Sequence, residues 1–377
     1  MALIEKSGGV GGFIHFALHQ KAFVSSPRSA LMLSYILGLV IFIETSITAL
    51  ISGAVGKPFC DKYKIPHAKL AFVCDSTSAP IGSLVIINGY GALLLGLITT
   101  QISTGSLEVN ALELLIDSVL YNFYAMSALL VTFLYIWFAI DIGPMKNLKY
   151  TKSESFVEVE KGSMYLMLLP ISLMLVLVFV FLYITGNGDI LKGSGSTSIF
   201  YTMASVLVFM FFYYLLTKTM TTKEYIKTSL KGAKKLFSVS LILVFAFAIG
   251  KVTGDLKTGQ YLASLATDNL NVIFLGGMIF LLSSLISFST GTSWGTFSIM
   301  IPIAVPMALG MDANVALVIG AVISGGIFGD HCSPISDTTI ISSMAADCEI
   351  IEHVRTQLPY ALISGLIALT LFIILSV

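Results

Sequence analysis

Apolar residues run through this chain in long, nearly charge-free blocks rather than in alternation. Ser76–Leu107, Ser118–Ile140, Gly162–Gly188, Asn269–Met311, Ala313–Gly329 and Thr356–Val377 carry no Asp, Glu, Lys or Arg. Crossing hydrocarbon takes roughly 20 apolar residues as a helix, and the short alternating segments of an outer-membrane barrel are missing. Windows of helix length place candidate passes at Ser29–Ile43, Thr45–Gly56 (broken by glycine), Ala68–Ile87, Gly89–Ile102, Leu114–Ile140, Ser163–Thr185, Ser198–Leu216, Leu236–Gly250, Asn271–Phe288, Ser289–Leu309, Asn314–Ala345 and Gln357–Val377. The pattern predicts an all-α polytopic membrane protein with nine or ten transmembrane helices and two re-entrant stretches.

Two of these blocks are interrupted by polar residues. GDHCSPISDTT at Gly329–Thr339 sets two carboxylates, a histidine, several hydroxyls and a proline into a membrane stretch; CDSTSAPIGS at Cys74–Ser83 is a shorter relative. Polar groups at membrane depth are costly and mark ion or substrate paths, and paired interrupted helices in two halves are the sequence form of a secondary transporter. The order of features repeats: Glu44-Thr-Ser, a Gly/Pro stretch and Asp75-x-x-Ser-x-Pro-Ile, then Gly291-Thr-Ser-Trp-Gly-Thr, Gly/Pro residues and Asp330-x-x-Ser-Pro-Ile. This predicts one transport domain of two inverted-repeat halves, 1–112 as a first, incomplete repeat and 113–377 as the second. Residue 1 aligns near residue 247, so asymmetric halves or a missing N-terminal portion is expected.

Composition sharpens the class. Hydrophobic residues make up 56% and charged residues 11%, against about a quarter charged in soluble domains. Zero net charge argues against a nucleic-acid partner. The four cysteines form no CxxC or zinc spacing, and Met1–Gln20 lacks the clean apolar core of a signal peptide. Asp141–Lys161 carries four Lys with three Glu, and Lys218–Lys235 six Lys with one Glu. They lie two passes apart, and their lysine excess places both in the cytoplasm. The side taken by Lys57–Lys69 stays open, because Ala68–Ile102 crosses either once or twice.

Pro80 and Pro334 are expected to break their helices, since proline lacks the amide donor and clashes with the preceding turn. Opened backbone supplies carbonyls for cations, and half-helix N-termini attract anions. The expected cation site therefore combines Asp330, Ser333, Ser336, Asp337 and Thr338 with Asp75, Ser76, Thr77 and Ser78, and Na⁺ sits at Asp330 and Asp337. Burial favours the neutral form of a carboxyl and a neighbouring cation the charged one. Such a group holds H⁺ or Na⁺ but not both, which is the minimal physics of antiport. Thr292 and Ser293, within Ser289–Thr296, suit the tip of a re-entrant hairpin. His331 reads either as a pH-responsive neighbour or as a satisfied helix histidine, and Glu44 either as facing the cavity or as interfacial.

With these residues in hand, the chain resembles the NhaC family of sodium/proton antiporters. STGTSWGTFSIMIPIA (Ser289–Ala304), GDHCSPISDTTIISS (Gly329–Ser343) and HVRTQLPYALI (His353–Ile363) look like that family's second-half signatures, and Lys57–Leu84 is similar to its first-half block. The resemblance implies a sodium-coupled antiporter of the inner membrane and kinship with inverted-repeat carriers. It departs at Phe42-Ile-Glu44-Thr45, where relatives often carry an acidic pair, and at Ile87-Asn-Gly-Tyr90.

The leading expectation is Na⁺/H⁺ antiport by alternating access, with transported Na⁺ and H⁺ and no cofactor. The alternative is Na⁺-coupled exchange of a small organic anion or amino acid, and a further alternative is an inactive membrane remnant. An enzyme is not expected, with no zinc motif and no serine paired to a base. The lipid bilayer and a second copy in a homodimer are the expected partners.

Overall fold

The computed structural model describes residues 2–19, 24–42, 44–103, 109–151, 162–188, 193–235 and 271–376, with isolated residues between 237 and 261. The helices, in chain order, are α1 (Ala2–Lys6), α2 (Gly9–His19), α3 (Pro27–Val40), α4 (Thr45–Tyr63), α5 (His67–Leu84), α6 (Gly89–Ser103), α7 (Ala111–Leu120), α8 (Phe123–Phe138), α9 (Tyr165–Thr185), α10 (Gly195–Leu216), α11 (Thr222–Lys235), α12 (Leu275–Thr290), α13 (Ser293–Gly310), α14 (Val315–Cys332), α15 (Asp337–Ala346) and α16 (Ile350–Leu375). No strand occurs among the described residues. Seven described helices are long and apolar enough to cross a membrane, or eight when α5 and α6, bent by 41°, count as one broken span. The expected pass at Leu236–Gly250 lies outside the described stretches.

The chain divides into two compact units. One comprises residues 1–23 and 156–241, in which α9 and α10 form an apolar pair tied by the Tyr214 hydroxyl donating to the Leu166 carbonyl at 2.8 Å. Here α11 begins with a reciprocal cap: Thr221 N donates to Glu224 Oε2 at 2.9 Å and Glu224 N to Thr221 Oγ1 at 3.3 Å. Those bonds hold the exposed Glu224 carboxyl below its usual value.

The second unit comprises residues 24–155 and 242–377, and the repeat is written in its element starts. Pro27 and Leu275, Thr45 and Ser293, His67 and Val315, and Gly89 and Asp337 are each 248 positions apart. Each half is thus a hairpin (α3–α4, α12–α13) followed by a broken helix (α5–α6, α14–α15). The halves interlock reciprocally, α4 packing on α15 and α13 on α6. This register corrects the motif alignment: Asp330 falls opposite Gly82 and Asp75 opposite Ile323, two helical turns from the expected match.

Ion pairs fix the direction of each half. Lys69 Nζ lies 2.6 Å from Asp141 Oδ2 and Lys57 Nζ 2.6 Å from Asp347 Oδ2. Lys57–Lys69 therefore shares a side with Asp141, so α5–α6 crosses once and α7–α8 returns. The α3–α4 hairpin opens toward this lysine side. The α12–α13 hairpin opens toward the opposite end, where Val272, Ala313, Asn314, Leu375 and Ser376 line one depression. Its tip stops at the 333–336 break, and α15 continues ten residues beyond, about 15 Å of helix. The hairpin is re-entrant and the two halves run in opposite senses.

Several sequence expectations change. The break expected at Pro80 does not occur there: α5 runs through Pro80 to Leu84. Proline is tolerated in membrane helices when neighbouring groups compensate the lost bond, and here the break falls at Val85–Asn88. Asn88 holds it, Nδ2 donating to the Gly82 carbonyl at 2.7 Å and to that of Phe42 at 3.0 Å. Thr45–Gly56 is not broken by its glycines but belongs to a helix reaching Tyr63. Leu114–Ile140 is not one helix; it divides at Asn122, whose Oδ1 caps α8 and accepts from Ser324 Oγ at 3.0 Å while Nδ2 donates to Ser83 Oγ at 2.8 Å. The last helix begins at Ile350 rather than Gln357, because His353 and Gln357 point inward and are fully buried.

Candidate functional site

The second-half break is framed by the end of one helix and the start of the next. α14 ends at Cys332, Ser333 to Ser336 are non-helical, and Asp337 opens α15. Ser333 Oγ donates to the Phe288 carbonyl at 2.8 Å, which ties the break to the end of α12. At the hairpin tip Gly291 has φ +64, and a Cβ there would press on the Ile335 backbone, so only glycine suits both conformation and contact. Thr292 then caps α13, its side chain accepting from Gly295 N. Glu44 is the repeat counterpart and does the same for α4, Oε2 accepting from Ile47 N at 2.8 Å.

Two buried carboxylates define two polar clusters. Asp330, 1% exposed, lies on the last turn before the break. Its Oδ2 accepts from Ser293 Oγ at 3.2 Å, and Ser293 Oγ lies 2.9 Å from the Tyr90 hydroxyl at the start of α6. The Tyr90 ring packs on Trp294, centroids 5.2 Å apart. The end of one broken helix, the tip of its hairpin and the other half's break are thereby brought together.

Asp75, 0% exposed on α5, draws its partners from α14, α15 and α16. Its Oδ2 accepts from Gln357 Nε2 at 2.8 Å and Thr339 Oγ1 at 3.3 Å, with His353 Nε2 at 3.2 Å and His331 Nε2 at 3.8 Å. Gln357 Nε2 also donates to the His331 carbonyl at 2.5 Å, bridging the Asp75 cluster to the turn that carries Asp330. Both His331 ring nitrogens are occupied, Nδ1 by the Tyr124 hydroxyl at 2.6 Å and Nε2 by Ser76 Oγ at 3.2 Å.

Not every expected residue joins these clusters. Thr77 Oγ1 donates back to the Val73 carbonyl and its side chain packs against Gly38; Ser78 donates to the Asp75 carbonyl. Both finish their own helix turn. Asp337 is exposed, whereas Asp330 is buried. Thr338 pairs with Ser336 at 3.1 Å, and Ser336 in turn lies against the Asp330 carboxyl. Sequence reading passed over Tyr90, Tyr124, Thr339, His353 and Gln357. The available signal was the spacing of His353 and Gln357, four apart and so on one helix face.

Within the protein, Asp75 Oδ1, Asp330 Oδ1, His353 Nδ1 and Gln357 Oε1 are buried without a hydrogen-bond partner. Buried polar atoms are normally paired, and an unpaired carboxylate oxygen is suited to receive a proton or a cation. Among the described residues no group of His, Cys, Asp and Glu is placed to hold a resident metal ion.

Inverted halves, re-entrant hairpin tips and a helix opened beside a buried carboxylate define a multi-pass secondary transporter rather than an enzyme. The chain belongs to the Na⁺/H⁺ antiporter family, of NhaC type, whose family model matches residues 87–377. An uncharacterised protein of Haemophilus influenzae is 34% identical over 381 residues, covering 96% of this chain and 73% of its own. The Malate-2H(+)/Na(+)-lactate antiporter of Bacillus subtilis is 34% identical over 137 residues, 35% of this chain and 28% of its own. In fold, the chain is similar to the Alcanivorax borkumensis YdaH transporter, with a TM-score of 0.67 at 14% identity over 99% of this chain and 84% of that one.

Proposed function

We propose that the protein exchanges Na⁺ for H⁺ by alternating access, with Asp330 as the carboxylate that carries either ion. One observation carries this reading: Asp330 is buried beside both the break and the opposing hairpin tip, with Oδ1 unpartnered. Na⁺ is the cargo, held by Asp330 with hydroxyl oxygens from Ser293 and the 333–338 segment. Exposed Asp337, at the mouth of the break, is the second carboxylate the ion meets. Asp75 and its α16 partners form the second buried centre, coupled to the first through Gln357 and His331. In this reading the protein sits in the inner membrane, with 141–161 and 218–235 cytoplasmic.

A second reading, Na⁺-coupled exchange of a small organic acid, is favoured by the similarity to the malate/lactate antiporter. Purified protein in liposomes loaded with a pH dye separates the two. Interior alkalinisation on adding external NaCl alone is the expected result. A response only after malate or lactate is supplied would favour the second reading, and silence with intact, inserted protein would contradict both.

A further inference from the structure

The proposed ion site lies in one unit; α11, in the other, carries an exposed surface outside that site. It follows the apolar span α10 after five residues, Thr217 to Thr221, and docks back on it. The Tyr225 ring meets Phe211 with centroids 5.3 Å apart, and its hydroxyl donates to the Leu207 carbonyl at 2.7 Å. Phe211 is five residues from the end of that span at Leu216, about 7–8 Å of helix, so Tyr225 lies at the depth where headgroups give way to acyl chains.

Around the helix the side chains divide by angle. Tyr225 faces inward and is buried; Ile226 and Leu230, one turn apart, are 52% and 65% exposed. Lys223, Lys227, Lys231 and Lys234 are exposed on the adjoining face. Glu224, the acid of this helix, is engaged in its N-terminal cap. An apolar stripe edged by lysines, anchored at interfacial depth, has the form of a helix lying in a membrane surface, and cations there are attracted by acidic phospholipids.

We propose that α11 is an interfacial helix that binds anionic phospholipid headgroups through Lys223, Lys227, Lys231 and Lys234 while Ile226 and Leu230 enter the acyl boundary. The test uses the full chain, with Leu230→Cys carrying an environment-sensitive fluorophore, in nanodiscs containing doxyl-labelled lipid. The unsubstituted chain, taken through the same labelling, reports the background from native cysteines. Quenching should be at least two-fold stronger in discs with about a third phosphatidylglycerol than in pure phosphatidylcholine. That difference should vanish at 1 M salt, where screening is strong, and in the K223Q/K227Q/K231Q/K234Q variant. Equal quenching in both lipids would overturn the headgroup claim, and no quenching in either would overturn the interfacial placement. Neither readout involves transport, so the result is independent of the ion site.

Discussion

Gln357 shows what residue chemistry adds to sequence pattern. Its amide donates to two acceptors on different helices, the Asp75 carboxylate and the His331 carbonyl. Gln357→Leu keeps the size and removes the donor, leaving buried acceptors unpaired at a cost of about 1–3 kcal/mol. Transport should fall at least ten-fold with insertion intact, measured as Na⁺-dependent dye response; wild-type rates would remove Gln357 from the coupling path. Asp330, Ser293 and Asp75 were legible as candidates because polar groups stand out in an apolar block. Thr77 and Ser78 stood out equally, yet serve their own helix, since hydroxyls in membrane helices readily bond the carbonyl three or four residues back. Sequence cannot tell those uses apart; His353 escaped because it sits beside Glu352 and Arg355, in a turn polar enough to read as outside the membrane, and Gln357 because it stands at the very start of the predicted last span.

At the scale of elements, the opened helix and its tight neighbours carry the account. Pro334→Ala restores a backbone donor and allows α14 to continue, so turnover in liposomes should drop; an unimpaired rate would show the break to be incidental. Close approach is equally specific. A Cβ at Gly329 would meet the Ser284 carbonyl and the Phe288 amide, whereas one at Gly96 meets nothing within 4 Å. Gly329→Ala should therefore cost about 1–3 kcal/mol of stability, while Gly96→Ala should be neutral or stabilise by about 0.5–1 kcal/mol. Melting in detergent compares them, and equal shifts would contradict the packing. The break at Pro334 was readable because proline, turn residues and carboxylates coincide there. At Pro80 the same letter misled, since the first-half break is set by the Asn88 side chain, and Asn122 likewise divides what hydropathy reads as one span.

At the scale of the molecule, opposed hairpins make the two membrane sides distinguishable. Lys64→Cys and Lys146→Cys should react with an impermeant thiol reagent from the same side, and Ala313→Cys from the other. Labelling of Lys64→Cys and Ala313→Cys from one side would contradict the inverted halves. The repeat was visible in sequence as an order of features with residue 1 aligned near residue 247, and the helix starts fix the register at 248 and separate Asp75 from Asp330, because caps and breaks repeat here while the chemistry of the ligands does not. The central claim is that one buried carboxylate at the opened helix carries the ion. Its most direct test is Na⁺-driven proton movement in matched liposomes of the native chain and Asp330→Asn, which keeps the shape and removes the charge. The native chain should alkalinise the interior and the variant should be silent at equal incorporation; an equal response from the variant would contradict the account.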